Sequence, residues 1–92
     1  MELEKMRNEI NELDKEIVRL LEKRFNLVLK VGKFKKDNKL PVLDEKRENL
    51  ILKKCNEHLT NKEYSNYIHK IYIQIMNTCK DIQKAEKDYI NE

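Results

Sequence analysis

Arg24 is the residue whose position is hardest to explain by packing alone. It lies in a series of apolar residues that recur at alternating steps of three and four over the first third of the chain. An unpaired charge on such a face is very costly, so Arg24 must meet either a carboxylate of this chain or an anionic ligand. Lys35 borders the same face, ~16 Å further along a helix axis and ~20° around it. The two cations can therefore contact one small anion between them.

Arg7 borders this face in the other direction, ~25 Å from Arg24 along the helix. It is too far away to reach an anion held by Arg24 and Lys35 of its own chain. If two such helices run antiparallel about an axis near residues 17–18, Arg7 of one chain comes opposite the Arg24–Lys35 gap of the other. The spacing therefore predicts composite sites, each with cations from two subunits.

Two later clusters supply further polar groups. Asp44, Arg47 and Glu48 lie close together in the sequence, and Glu48 shares the apolar stripe of the segment that follows. Gln83 lies on a partly apolar row with Cys79, where a buried amide needs hydrogen-bond partners. Together with the cations, these residues predict a pocket for a small polar dianion. The cations would bind its carboxylates, and the acids would accept a hydrogen bond from a hydroxyl.

A second interpretation of the same charges remains open from spacing alone. Salt bridges could lace a helical bundle, with Asp14 or Glu48 pairing the cations internally. The two cysteines are far apart and there are only two histidines, which argues against a disulfide framework and a metal site. We expect Cys55 and Cys79 to be small core residues.

The elements that position these groups are predicted to be helices. The chain has one Gly, one Pro and no strict alternation of apolar and polar residues, which favours an all-α fold. The apolar series runs without a slip for more than four heptads. It predicts a first helix from about residue 3 to 38, which ends at the stop signals around Pro41. The ten positions of this apolar seam are Leu3, Met6, Ile10, Leu13, Ile17, Leu20, Arg24, Leu27, Val31 and Phe34.

Two more helices follow. The second is predicted from about 45 to 58, with Asp44 as its N-cap. The third is predicted from about 62 to 90 after a break at Thr60-Asn61, either of which could cap it. Its apolar face would carry Tyr64, Ile68, Ile71, Ile75, Ile82 and Tyr89.

The length of the first helix predicts a dimer. A helix of 36 residues is ~54 Å long, whereas a compact monomer of 92 residues has a diameter of only ~32 Å. The helix would overhang its own domain although its seam is apolar from end to end. We therefore expect an intertwined two-fold dimer.

Length and composition limit the number of domains and the classes of partner. The 92 residues predict a single domain over 1–92, with 39% apolar and 40% charged residues. The net charge of +3 is spread along the chain, so nucleic-acid binding is weakly supported. The charged N-terminus lacks the apolar core of a signal peptide, and no apolar run approaches the ~20 residues of a membrane span. We expect a soluble, cytoplasmic protein without membrane contact.

Four segments in this order carry a resemblance: MRNEINELDKEIVRLLEKR, VGKFK, LPVLDEKRE and the closing YI-to-Q part of the third helix. They resemble the all-helical chorismate mutases, the AroQ class, over essentially the whole chain. The resemblance implies an intertwined dimer of three-helix chains. It also implies conversion of chorismate to prephenate at the branch toward phenylalanine and tyrosine.

The resemblance also implies roles for individual residues. Arg24, with Arg7 of the other chain, corresponds to the arginines that clamp the two substrate carboxylates. Lys35 corresponds to the lysine that contacts the ether oxygen and a carboxylate. Gln83 corresponds to the donor to the same ether oxygen.

The remaining roles concern the ring and one carboxylate. Glu48 and Asp44 correspond to the acids near the ring hydroxyl, and Arg47 to a further pocket cation. Cys79 stands where the family commonly has a small hydroxyl residue that touches a carboxylate. Because a thiol is a much weaker donor, we expect Cys79 mainly to shift substrate affinity.

The chemistry implied is a unimolecular pericyclic rearrangement, which requires no nucleophile, metal or organic cofactor. Holding the flexible enolpyruvyl arm over the ring and placing donors at the ether oxygen would be sufficient. Two alternatives stay open. One is an isochorismate–pyruvate lyase on the same scaffold, and the other is a non-catalytic helical dimer that serves as an interaction module.

Overall fold

The computed structural model describes the backbone of residues 1–91 and the side chains of residues 1–85. The described residues form three α-helices and one turn of 3₁₀ helix, joined by short connections, and residues 1–91 contain no strand. The all-α prediction is confirmed. The elements are α1 (Glu2–Asp37), α2 (Glu45–His58), the 3₁₀ turn (Lys62–Tyr64) and α3 (Ser65–Asn91).

The predicted helix boundaries differ from the observed ones by one residue at each end of α1 and by none for α2. The third helix begins at Ser65 because residues 62–64 form the tighter 3₁₀ turn. In this turn the Asn61 side chain accepts a hydrogen bond from the backbone N–H of Glu63. Asn61 is thus the capping residue of the two that the sequence left open. The side chain of Tyr89, which was expected on the apolar face of α3, lies outside the described residues.

The end of α1 is closed by a Schellman motif. Lys39 adopts a left-handed conformation with a φ of 55°. Its N–H donates to the carbonyl of Lys36 at 3.1 Å, and the N–H of Leu40 donates to the carbonyl of Lys35 at 2.7 Å. This is the pattern that satisfies the last carbonyls of a helix. It fixes where α1 stops and so fixes the connection to α2.

The buried part of the chain lies where α1 and α2 pack against α3. Among the described side chains, Met76 and Cys79 form the buried apolar core, and Gln83 is buried beside them. Gly32 is the buried residue of α1. A Cβ atom on Gly32 would lie 3.2 Å from Cγ of Gln83. The absence of a side chain at Gly32 therefore lets α1 and α3 approach closely.

The N-terminal part of α1 extends past the rest of the chain. The molecule measures 55 × 26 × 15 Å, and residues 1–20 are all exposed. The apolar seam is uncovered even near the packed end, since Leu13 and Phe34 are each 61% exposed. A single chain therefore leaves its most regular apolar face in contact with solvent.

None of the described helices combines the length and the apolar character that crossing a membrane would require.

Candidate active site

One cleft lies among the C-terminal half of α1, the start of α2 and α3. Its volume is about 440 Å³. Apolar side chains form the walls, namely Leu27, Val28, Val31, Val42, Ile51 and Met76. Polar side chains line the same space, namely Arg24, Lys35, Asp44, Arg47, Glu48, Cys79, Lys80 and Gln83. The cleft is therefore an apolar space with polar groups of both signs around it.

Seven of the eight site residues predicted from the sequence line this cleft. The exception is Arg7, which is exposed on the N-terminal part of α1. Its predicted role requires a second chain, so that role stays a prediction. The Arg24–Lys35 spacing, by contrast, brings both side chains to one cleft of the same chain.

Arg24 reaches the cleft from α1 and meets a sulfur atom rather than a carboxylate. Its Nη1 donates to Sγ of Cys79 at 3.0 Å. Asp14, which was considered as an internal partner, lies outside the cleft lining, and no described acid forms an ion pair with Arg24. The thiol is a weak acceptor. The guanidinium therefore retains most of its capacity to bind an anion.

Lys35 is held by the connection between α1 and α2. Its Nζ donates to the carbonyl of Val42 at 2.9 Å. An ammonium group has three donors, so two remain for a ligand. The Schellman motif fixes the backbone of Lys35, and the bond to Val42 fixes its side chain. Both the backbone and the ammonium group of Lys35 are therefore held in place in the cleft.

The start of α2 brings Asp44, Arg47 and Glu48 to the wall of the cleft. The Asp44 side chain accepts the backbone N–H of Arg47 at 3.0 Å, which confirms the predicted N-cap. Glu48 faces inward as expected, but its Oε2 forms an ion pair with Nζ of Lys80 at 3.1 Å. The capping geometry at Asp44 therefore places Glu48, one turn into the helix, against α3.

Lys80 is the cleft residue that the sequence reasoning missed. In a chain with 20 basic residues, its residue type alone did not distinguish it from the lysines on the surface. Its helical spacing, however, could have identified it as a residue that faces inward. Lys80 follows Met76 by four positions and precedes Gln83 by three, so it belongs to the inward stripe of α3.

Gln83 is buried, and its Oε1 has no hydrogen-bond partner in the described structure. A buried polar atom without a partner costs about 1–3 kcal/mol. Because Oε1 is an acceptor, only a donor on a ligand or a water can complete its hydrogen bonding, whereas Nε2 of the same amide can donate to a ligand. A Cβ atom on Gly32 would lie 3.2 Å from Cγ of this side chain, so α1 leaves little room beside Gln83.

Tyr72 lies on the same row of α3 as Met76 but does not line the cleft. Burial raises the pKa of Tyr72, and the neighbouring Cys55 adds to the rise, while the nearby Arg24 opposes it. The phenol is therefore neutral at physiological pH. It therefore adds no charge to the cleft.

The cleft carries an excess of positive charge. Four cationic side chains and two acidic ones line it, so its net charge is +2. One acid is paired with Lys80, whereas Arg24 and Lys35 have only neutral protein partners among the described residues. An apolar space with this charge is suited to a small organic dianion.

Comparison with known proteins identifies the family of the chain. The chorismate mutase type II family matches residues 6–84. The chain is 39% identical over 79 residues to the bifunctional chorismate mutase/prephenate dehydratase of Buchnera aphidicola subsp. Schizaphis graminum, which covers 85% of this chain and 20% of that protein. It is 32% identical over 91 residues to the protein of the same name from Aquifex aeolicus, which covers 94% of this chain and 25% of that protein.

No solved structure matches the chain significantly. The chain spans about a fifth to a quarter of the length of the curated relatives it matches. The matched range of 6–84 includes Arg7 and every polar residue of the cleft. Because this match covers most of the sequence, the chain belongs to the chorismate mutase type II family.

Proposed function

We propose that this chain catalyses the rearrangement of chorismate to prephenate, at the branch toward phenylalanine and tyrosine. One observation carries the proposal. Arg24 and Lys35, two cations without an acidic partner among the described residues, line one apolar cleft with the buried amide of Gln83. A dicarboxylate with an ether oxygen between its two halves would supply acceptors for the guanidinium of Arg24, the ammonium of Lys35 and the Nε2–H donors of Gln83.

Substrate binding comes first. Chorismate carries two carboxylates, and a guanidinium binds a carboxylate through two parallel hydrogen bonds. Arg24 would bind one carboxylate, and Arg7 of a second chain would bind the other. Holding both ends would place the enolpyruvyl arm over the ring. The bound substrate would then adopt the reactive conformer, which is rare in solution. Such positioning can lower the activation barrier by several kcal/mol.

The bond changes come next. The C–O bond of the ether breaks while a new C–C bond forms, and negative charge grows on the ether oxygen. Lys35 from α1 and Gln83 from α3 would donate to this oxygen. Donors fixed in advance at a developing charge are worth most in a site that excludes water. Neither proton transfer nor a covalent adduct is required.

The acids of α2 would bind the other end of the substrate. Glu48 and Asp44 line the cleft beside Arg47, where they would accept a hydrogen bond from the ring hydroxyl. The thiol of Cys79 would lie beside the carboxylate bound by Arg24. These contacts set orientation and affinity, whereas the donors at the ether oxygen set the rate.

A second copy of the chain would complete the site. The apolar seam of α1 is exposed along its length, for example 61% at Leu13. An antiparallel partner would cover this seam and bring its Arg7 to the Arg24–Lys35 end of the cleft. We therefore propose an intertwined homodimer with two shared sites.

The experiment is a chorismate turnover assay with identification of the product. Prephenate formed without added metal supports the proposal. Salicylate and pyruvate formed from isochorismate would instead assign a lyase. Absence of turnover, together with no rise in melting temperature with a dicarboxylate transition-state analogue, would assign a non-catalytic module, because a ligand that binds only the folded state must stabilise it. Sedimentation analysis would test the dimer.

A further inference from the structure

We infer that Lys80 is a positioning residue of this cleft, which acts on the substrate through Glu48. The inference deepens the proposed function and rests on it. Neither spacing nor the family resemblance assigned a role to Lys80. Three features of the described residues support this role: where the Lys80–Glu48 ion pair lies, how the Glu48 carboxylate is held, and which cations line the cleft beside it.

The location of the ion pair is unusual in this chain. The three ion pairs among the described side chains differ in kind. Two join residues three positions apart on the exposed surface of α1, and pairs of this kind contribute little to stability. The Lys80–Glu48 pair joins α3 to α2, and each side chain is only about a quarter exposed. This pair is therefore part of the cleft wall.

The geometry at Glu48 leaves room for a ligand. Nζ of Lys80 lies 3.1 Å from Oε2 of Glu48, and a carboxylate has a second oxygen that can accept further hydrogen bonds. Lys80 thus holds the side chain by one oxygen and leaves the other for the ring hydroxyl. Because Glu48 lies in the first turn of α2, its backbone is also fixed, so the lysine determines the remaining side-chain freedom.

The surrounding cations give this restraint its importance. Arg24, Lys35 and Arg47 line the same cleft. A Glu48 carboxylate released from Lys80 would be attracted to one of them and would neutralise a cation that must bind a substrate carboxylate. Lys80 therefore does two things at once. It points Glu48 at the hydroxyl end, and it keeps the anion-binding cations free.

The first test is a set of single substitutions with steady-state kinetics. Lys80→Met keeps the length of the side chain and removes its charge, and we expect KM for chorismate to rise about tenfold with a smaller fall in kcat. Such a split is expected because a hydroxyl contact is made in both the ground state and the transition state. Lys80→Arg should recover most of the affinity. Lys70→Met, at an exposed position of α3, should change neither constant.

The second test is a double-mutant cycle with Glu48→Gln, which isolates the pairwise coupling. Binding of a dicarboxylate transition-state analogue would be measured by calorimetry in all four proteins. We expect Lys80→Met to weaken binding about tenfold in the wild-type background and less than twofold in the Glu48→Gln background. Equal losses in both backgrounds would show that Lys80 acts only as a distant charge, and would overturn the inference.

The outcomes separate the inference from the proposed function. If the wild-type chain converts chorismate and Lys80→Met behaves like Lys70→Met, the inference is wrong and the proposed function stands. If the wild-type chain neither converts chorismate nor binds the analogue, the proposed function is wrong. If Lys80→Met fails to fold, Lys80→Gln takes its place in both tests, because it also removes the charge.

Discussion

Gly32 of α1 faces Gln83 of α3 where the two helices pack against each other. Both residues are buried. A Cβ atom built on Gly32 would lie 3.2 Å from Cγ and 3.4 Å from Cα of Gln83. The residue with the lowest helix propensity among those in α1 thus lies next to the side chain whose amide we propose as a donor to the ether oxygen. The close approach of α1 limits where the Gln83 side chain can lie.

Gly32→Ala should therefore lower kcat clearly but change the stability of the fold only slightly. Alanine favours a helix over glycine by about 1 kcal/mol, which offsets part of the crowding. The Gln83 side chain must still move by a few tenths of an ångström, and small misplacements of catalytic groups are costly. We expect kcat to fall about five- to tenfold with a small change in melting temperature. Lys33→Ala, at the next and exposed position, serves as the control. An unchanged kcat would show that the contact does not set the amide.

Lys35→Ala and Gln83→Ala test the donors to the ether oxygen. Each substitution should reduce kcat by about 10²- to 10³-fold, which is typical when one donor to a developing negative charge is removed. Lys30→Ala removes a charge from an exposed position of the same helix and should have little effect. Steady-state kinetics on chorismate would measure all three. Rates near the wild-type value for both cleft variants would refute the assigned mechanism.

Mixed dimers test whether the site is shared. Arg7→Ala and Arg24→Ala chains should each be nearly inactive alone. A heterodimer of the two would contain one intact site and one site that lacks both arginines. Random exchange of equal amounts should therefore restore about a quarter of the wild-type activity. Heterodimers that form, as shown by mass spectrometry, without any recovered activity would contradict the shared site.

Cys79→Ser tests the departure from the family pattern. The Arg24 guanidinium donates to Sγ of Cys79 at 3.0 Å, and a hydroxyl in its place would be a stronger donor to the substrate carboxylate. Because the thiol already supplies a weak donor, the gain from the hydroxyl should be about 0.5–1 kcal/mol, so KM should fall about two- to fivefold while kcat changes little. Cys55→Ser, outside the cleft lining, should leave KM unchanged. A KM that rises in Cys79→Ser would mean that the thiol is preferred.

Much of this arrangement could be predicted from local sequence patterns. The heptad spacing placed Arg24 and Lys35 over one cleft because both lie on the same helix, where geometry depends only on position. The N-cap at Asp44 followed from its residue type. Two features could not be predicted in this way. The contact of Gly32 with Gln83 and the pair of Lys80 with Glu48 each join different helices, so they depend on how those helices pack.

Gly32 shows most clearly that contacts between helices cannot be predicted from one helix alone. Along α1 alone it counts only as a local cost to the helix. In the folded chain it is the position that lets α3 approach. Lys80 could not be predicted for a different reason. By residue type alone, a lysine that faces another helix cannot be distinguished from the many lysines that face solvent.

The overhang of α1 has a consequence for how the protein responds to dilution. Given the proposed dimer, the seam that extends past each protomer is protected only while two chains remain associated. Folding and association then become a single second-order process, so resistance to heat and urea rises with protein concentration. At the low concentrations used in enzyme assays, specific activity should decline as partners separate.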